Sequence, residues 1–371
     1  MTARLNGLSA PREECVKRFS GILAGAVCAT ALLVGSLAHP AAAADKKYTI
    51  YLSNNFVGND WRQQMERVAT VSANKGPLAG RVDLKIENVD NTVQAQLNSL
   101  NNIIRAKPDA ILVDAGSSDA LNPTLKKACD AGIVVISFDQ VVSEPCAYAL
   151  ESDWNRIPAV LAEWMAKQLN GKGKVVVDRG LAGAPISAQL ENGYLGVLKK
   201  YPGIEVIGNY NGQYALGPEQ EGVASLLAAH PEVDGILTQG YGTGAIKALQ
   251  DAGRKVVPVT AFSYNVAAST CAQTAGAACI LGSNPAFLSS EAITLAVDIL
   301  DGKPKPADRH ILVNGDFLAT NGGEFKSELY PDAVIQKIEI GKNAFPDRPP
   351  GLTLPITPTW VEITAQEAAG S

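Results

Sequence analysis

Apolar runs of strand length alternate with amphipathic stretches of helix length from residue 48 onward, and this alternation restricts the fold more than any single motif does. Strand-like segments at 48–52, 82–89, 110–113 and 133–138 are separated by helical patterns at 61–73, 92–105 and 121–131, the last stopped by Gly132. Strands joined by helices run parallel, and the helices cover both faces of the sheet. The run 133–138 lacks apolar–polar alternation, as a strand buried on both faces should. After Glu151-Ser152-Asp153 the pattern restarts with a helix at 157–169, a break at Gly171-Lys172-Gly173, a strand at 175–177 and a helix at 186–200. Strands at 204–210, 235–237 and 256–259 follow, interleaved with helices at 219–229, 245–252 and 288–300. The expected architecture is therefore α/β, with two doubly wound, Rossmann-like lobes on parallel sheets. Beyond residue 331 the prolines Pro346, Pro349, Pro350, Pro355 and Pro358 preclude long regular elements.

The N-terminus speaks for the compartment. Lys17 and Arg18 precede an uncharged apolar run at 19–38, which ends in His39-Pro40-Ala41-Ala42-Ala43-Ala44. Basic, then apolar, then small residues make a secretory signal, with cleavage expected near Ala44. A membrane anchor is the competing reading, since a run of this length could span a bilayer, but Ala42-Ala43-Ala44 supplies the peptidase site. A lipid anchor at Cys28 would need a different preceding triplet than Gly25-Ala26-Val27. Loss of residues 1–44 takes four of the 32 basic and two of the 37 acidic residues, so 327 residues remain at a net charge of about −7. That length favours two domains. The acidic balance, without any basic run, argues against nucleic acid as a partner. No later stretch reaches membrane-spanning length, so no membrane insertion is expected after cleavage.

Four cysteines remain, Cys129, Cys146, Cys271 and Cys279, in a chain bound for an oxidising compartment. Sequence permits three connectivities; the local pairs Cys129–Cys146 and Cys271–Cys279 are favoured because each falls within one lobe. No C-x-x-C occurs and the only histidines after the signal, His230 and His310, are remote in sequence, so neither a metal nor another cofactor is expected.

Ligands of open α/β sheets bind beyond the carboxyl ends of the strands. After the first strand comes Ser53-Asn54-Asn55-Phe56-Val57-Gly58-Asn59-Asp60-Trp61-Arg62, which combines amides, a carboxylate, a guanidinium and an indole at one turn. A sugar presents hydroxyls at its rim and C–H groups on its faces, and this toolkit suits both. Asn55, Asn59, Asp60, Trp61 and Arg62 are candidate ligand contacts, although Asp60 could serve as a helix cap and Trp61 as a core residue. Strand 133–138 ends in Asp139-Gln140. In the second copy the corresponding strand-end positions are Arg179, Tyr214, Gln239-Gly240-Tyr241 and Ser263-Tyr264-Asn265, with Arg179, Tyr214, Gln239, Tyr241 and Ser263 as candidate contacts.

Several stretches together carry a resemblance: Ala110-Ile111-Leu112-Val113 with Leu121-Asn122-Pro123, the run 131–139 ending in Phe138-Asp139, Glu151-Ser152-Asp153, the run 226–235 from Leu226 to Gly235, and Ala248-Leu249-Gln250-Asp251-Ala252-Gly253. In this order, and over nearly the whole exported length, the chain resembles the periplasmic sugar-binding proteins of ABC transporters of the ribose-binding type. The resemblance implies the type I periplasmic binding protein fold with a three-segment hinge near Ser152, Ser283-Asn284 and Val313-Asn314. One lobe would comprise residues 45–152 and 284–313, the other 153–283 and 314–371. Asn284 joins the candidate contacts on this basis. The resemblance also implies a ligand trapped by hinge closure and passed to a membrane permease. The family's sugar-binding Asp corresponds to Asp139, its following Arg to Gln140, and two aromatics to Trp61 and Tyr214. Departures fall at Leu190, Gly240, Ser263 and Ser283, where the family has Arg, Asn, Asp and Gln, which argues against ribose itself.

The expected function is capture of a small neutral sugar or polyol in the periplasm by a monomer serving an ABC importer. A ligand sensor for chemotaxis or a sensor kinase would use the same module. A dinucleotide enzyme is disfavoured, because Gly240-Tyr241-Gly242-Thr243-Gly244 lacks the G-x-G-x-x-G spacing and neither a G-x-S-x-G elbow nor a Walker loop occurs. A repressor would need an N-terminal DNA-binding helix pair where this chain carries its apolar segment.

Overall fold

The computed structural model describes residues 46–313 and 316–370. The signal segment and its cleavage site lie outside the described residues, as does Asn314 of the third expected crossover.

The first half contains β1 (Tyr48–Asn54), α1 (Asp60–Asn74), β2 (Val82–Asn88), α2 (Val93–Ala106), β3 (Ala110–Asp114), α3 (Asn122–Asp130), β4 (Val134–Phe138) and β5 (Tyr148–Ser152). There follow α4 (Arg156–Gln168), β6 (Lys172–Asp178), α5 (Pro185–Leu198), β7 (Gly203–Tyr210), α6 (Leu216–Ala229), β8 (Gly235–Leu237), α7 (Thr243–Asp251), β9 (Val259–Phe262), α8 (Asn265–Gln273) and β10 (Cys279–Gly282). The chain ends with α9 (Leu288–Leu300), β11 (His310–Val313), β12 (Phe317–Ala319), β13 (Ile335–Lys337) and α10 (Ala365–Ala369).

These strands form two sheets. The first has the order β11-β5-β4-β3-β1-β2 with every pairing parallel; the second has the order β13-β12-β10-β9-β8-β6-β7 and is parallel except where β12 runs against β10. In each sheet the chain enters at a strand second from one edge, β1 or β6, places the next strand on that edge, and then winds across the other side. The strand order therefore reverses beside β1 and β3, and again beside β6 and β8, the places where such sheets open a crevice. Burial explains the apolar runs: every residue of β3 and of β9 is buried. The chain passes between the sheets after β5, after β10 and between β11 and β12.

Local chemistry fixes the helix starts that flank the crevices. Asn59 caps α1 by accepting from the Arg62 backbone N–H at 2.9 Å, which places the Trp61 and Arg62 side chains one turn beyond β1. Thr92 caps α2 in the same way, and the sequence pattern had included it in the helix. Other boundaries differ more. The strand expected at 256–259 is instead β9, because Pro258 brings no N–H to the ladder and pairing begins one residue later. β6 starts at Lys172, inside the expected glycine break, since Gly173 takes a positive φ of 152° within the strand. β5, β10, β11, β12, β13, α8 and α10 were not legible as elements.

Both expected disulfides are present: Cys129–Cys146, with Cα atoms 6.4 Å apart, ties the end of α3 to the approach to β5, and Cys271–Cys279 joins α8 to β10. β12 and β13 extend the second sheet, and the proline-rich tail that follows returns to α1, where Leu352, Ile363 and Ala368 bury against Val68. No helix among the described residues is long and apolar enough to cross a membrane.

Candidate functional site

A cleft lies where the carboxyl ends of the two sheets face each other. From the first half it is lined by Phe56, Asn59, Trp61, Arg62, Asp139 and Gln140, and from the second by Leu181, Ile186, Leu190, Tyr214, Gln239 and Ser263. Trp154, Phe262 and Tyr264 add rings, Asn284 a crossover amide and Thr353 a hydroxyl from the tail. The room available to the centre of a water-sized sphere is about 60 Å³. One water needs roughly 10–15 Å³ by that measure, so the cleft suits a solute that replaces a handful of waters.

Its floor is a buried charge cluster at the first crevice. Arg62 Nη1 contacts the Asp114 carboxylate, and Nη2 lies 3.6 Å from Asp139 Oδ2. The same Nη1 donates to Asn54 Oδ1 at 2.6 Å and to Asn55 Oδ1 at 3.1 Å. The guanidinium also stands over the Trp61 ring, 5.6 Å from its centre. Burial pushes the Asp114 carboxyl well above the usual carboxylate range, and Arg62 opposes that push. Asp139 is likewise raised by burial, against the pull of Arg62 and of the Asn284 amide, which donates to its Oδ1 at 2.9 Å. Asn284 is itself fixed, since Ser152 Oγ donates to its side-chain oxygen at 2.7 Å and Trp61 Nε1 to its carbonyl at 2.7 Å.

The second crevice is organised by backbone. Asp178, at the end of β6, accepts from the N–H groups of Gly180 and Gly212 at 2.7 Å each and of Gln239 at 3.0 Å. Burial raises its carboxyl, and these three donors pull it back. A Cβ on Gly212 would sit 2.4 Å from Asp178 Oδ2, so only glycine allows this approach. Gln239 Nε2 donates to the Asp178 and Ser187 carbonyls at 3.0 Å, and Tyr214 shares a short hydrogen bond with Ser187. Asp139 and Tyr214, both in the lining, occupy the left-handed region with φ of 58° and 52°. A non-glycine residue held there costs about 1–2 kcal/mol and points to a constraint other than stability.

Of the residues singled out from sequence, Asn59, Trp61, Arg62, Asp139, Gln140, Tyr214, Gln239, Ser263 and Asn284 are brought to the cleft. Four are not. Asn55 stands behind Arg62 as its acceptor, and Asp60 accepts from the Tyr241 hydroxyl at 2.7 Å outside the lining. Tyr241 is stacked on Tyr264 with ring centres 4.1 Å apart, so it backs the site instead of facing it. Arg179 turns outward to Glu191 at 2.9 Å. The two roles weighed for Trp61 coexist, since it is 5% exposed, packs in the core and still lines the cleft.

Sequence reasoning missed Trp154, Phe262, Thr353 and the apolar Leu181 and Ile186, whereas Tyr264 lies in the strand-end run 263–265. Phe262 was hidden by the misplaced strand boundary, and Trp154 directly follows the Glu151-Ser152-Asp153 marker. Asp114 carried the one usable signal, a carboxylate directly after an apolar strand. Nothing in the sequence pointed to Thr353. Among the described residues no cluster of three or more His, Cys, Asp or Glu is arranged to hold a metal.

Comparison with known proteins agrees with this geometry. Residues 50–304 match the periplasmic binding protein domain family. The chain is 29% identical over 188 residues to a xylitol-binding protein of Mycolicibacterium smegmatis and 25% identical over 205 residues to a galactofuranose-binding protein of Escherichia coli. Those matches cover 49% and 53% of this chain, and 53% and 63% of the respective relatives. A solved ABC transporter solute-binding protein from Thermobispora bispora superimposes with a TM-score of 0.66 at 27% identity, over 77% of this chain and 87% of that one. With two mostly parallel sheets, facing crevices and a family match over most of its length, the chain belongs to the periplasmic binding protein domain family.

Proposed function

We propose that this protein is an exported solute-binding protein that captures one small neutral sugar or polyol between its two sheets and delivers it to the permease of an ABC importer. The observation that carries this reading is the pairing of rings with unpartnered polar atoms in a single cleft. Gln140 Oε1, Ser263 Oγ, Thr353 Oγ1 and Trp154 Nε1 are buried there without a partner in the protein, between the rings of Trp61, Trp154, Tyr214 and Phe262. Leaving such groups unpaired costs about 1–3 kcal/mol each, which a ligand rich in hydroxyls would recover. Acceptors and donors are mixed, as a polyhydroxylated solute requires. Selectivity for a neutral ligand follows from charge, because the cleft's guanidinium is already matched by Asp114 and Asp139. The relatives named for xylitol and galactofuranose bind solutes of this chemical class.

In this reading residues 45–152 with 284–313, and 153–283 with 314–371, are lobes that close on the ligand about three crossovers. The leader is cleaved near Ala44, and the released protein works as a periplasmic monomer without catalysis. Calorimetry and melting curves on the chain from residue 45, titrated with pentoses, hexoses, deoxysugars and pentitols, test it. A ligand at 100 times its Kd should add about 2.7 kcal/mol of stability, and scattering should show a smaller radius of gyration. Failure to bind any of these compounds, or tighter binding of a sugar acid than of every neutral sugar, would overturn it.

A further inference from the structure

The tail beyond residue 340 lies outside the segment that matches the family, yet it reaches the cleft. It is held from both sides. On the first half, Gln64 of α1 makes a reciprocal pair with Thr353, accepting from its N–H at 2.7 Å and donating to its carbonyl at 3.2 Å. Arg67 of α1 donates to the Ala368 carbonyl at 2.7 Å, and Lys75 pairs with Glu367 at 2.5 Å. On the second half, the Asn265 side chain donates to the carbonyls of Phe345, Arg348 and Pro349 and accepts from the Phe345 N–H. The Leu354 N–H donates to the Ser263 carbonyl at 2.8 Å, and the backbones of Tyr264 and Thr353 form a β-bridge. Gly351 permits the crossing, since a Cβ there would fall 2.2 Å from Asp60 Oδ2.

All this fastening is made by the Thr353 backbone and its neighbours. The side chain does none of it. Thr353 is 4% exposed, its Oγ1 has no partner, and it lines the cleft beside Ser263, whose Oγ is also unpartnered. A threonine kept for packing alone would be replaceable by valine, with a gain from removing a buried hydroxyl that lacks a partner.

We infer that the C-terminal tail is a strap that completes the binding site, and that Thr353 is a specificity-determining ligand contact, its hydroxyl pairing with a ligand hydroxyl alongside Ser263. This rests on the solute-binding reading above. It gives the first and second halves a shared contact to the ligand from a segment that belongs to none of the three crossovers.

The test compares wild type, Thr353→Val, Thr353→Ser and Asp139→Ala by calorimetry against xylitol, D-ribose, L-arabinose and D-galactose, with melting curves in the absence of sugar. Thr353→Val should weaken the tightest of these probes about three- to tenfold, the loss of one neutral hydrogen bond, while Thr353→Ser stays near wild type. The ligand-free melting temperature of Thr353→Val should be unchanged or higher, which separates a ligand contact from a structural role. Binding that Asp139→Ala abolishes but Thr353→Val leaves intact overturns the tail's role and spares the solute-binding reading. A wild-type chain that binds none of the four probes overturns this inference along with it.

Discussion

The two crevices sit at equivalent places in equivalent sheets, yet they hold their buried carboxylates by different means. At the first, Asp114 and Asp139 are balanced by one arginine on a neighbouring helix, with Asn54 and Asn55 completing the guanidinium's bonds. At the second, Asp178 is held by three backbone N–H groups, and Glu219, buried under α7, accepts from the N–H groups of Gly242 at 3.1 Å and Ala245 at 3.2 Å. A side-chain cation can turn part of its hydrogen-bonding capacity toward a ligand, whereas backbone donors committed to a carboxylate serve the fold. In the proposed reading the first crevice therefore does most of the recognising, and the second adds Leu181, Ile186, Leu190 and Tyr214 with Gln239 and Ser263.

The largest test of this contrast is Arg62→Met. It strands two buried carboxylates, and breaking such a cluster from one side costs about 3–5 kcal/mol. The loss should appear in urea denaturation at pH 8, shrink at pH 5 as Asp114 and Asp139 take up protons, and be accompanied by loss of ligand binding. Stability and affinity like those of wild type at pH 8 would remove Arg62 from the centre of the site.

Next comes the pH dependence of the second half. Burial raises the Glu219 carboxyl from 4.5 to about 7. A folded state that holds its proton more tightly than the unfolded chain is favoured below about pH 4.5 and loses that advantage as pH rises toward 7. This group alone should lower stability by up to about 3 kcal/mol between pH 4.5 and 8. Glu219→Gln should flatten that slope in denaturant titrations at several pH values; an undiminished slope would assign it to other groups, such as Asp114 and Asp139, which burial shifts in the same direction.

Asp178→Asn sharpens the comparison from the other side. An amide presents only one acceptor to three N–H donors, so about 2 kcal/mol of stability should be lost. Affinity in the protein that remains folded should stay within about threefold of wild type, because Asp178 lies beneath the lining. A collapse of affinity without loss of stability would make the two crevices alike after all. The smallest expected difference lies between the disulfides. On the chain-entropy model Cys129–Cys146, closing 17 residues, contributes about 3 kcal/mol, and Cys271–Cys279, closing 8, about 2.5 kcal/mol. Paired serine substitutions measured by thermal unfolding should show that order.

Much of the first crevice could be read in advance. Asn59, Trp61 and Arg62 follow an apolar strand and open a helix, and Asp139 ends another, so strand-end logic found them. The second crevice was harder, because its polar work is done by backbone groups of Gly180, Gly212 and Gln239, which carry no side-chain signature. Arg179 misled for a different reason. Its position after β6 was right, but its side chain turns toward Glu191 and solvent.

By itself the sequence determined the two mostly parallel sheets and the acidic, amide-rich and aromatic character of the strand-end loops, because periodicity and turn chemistry act over a few residues; it favoured the local cysteine pairs among three connectivities, and the structure chose them. Only the tertiary structure decided that Arg62 meets Asp114 across 52 positions of chain, that Trp154 and Phe262 share a cleft, and that Thr353 arrives there from a tail without a regular pattern. Those contacts depend on how sheets, crossovers and strap close together, and burial of charge and hydroxyl groups at such distances has no local trace in the chain.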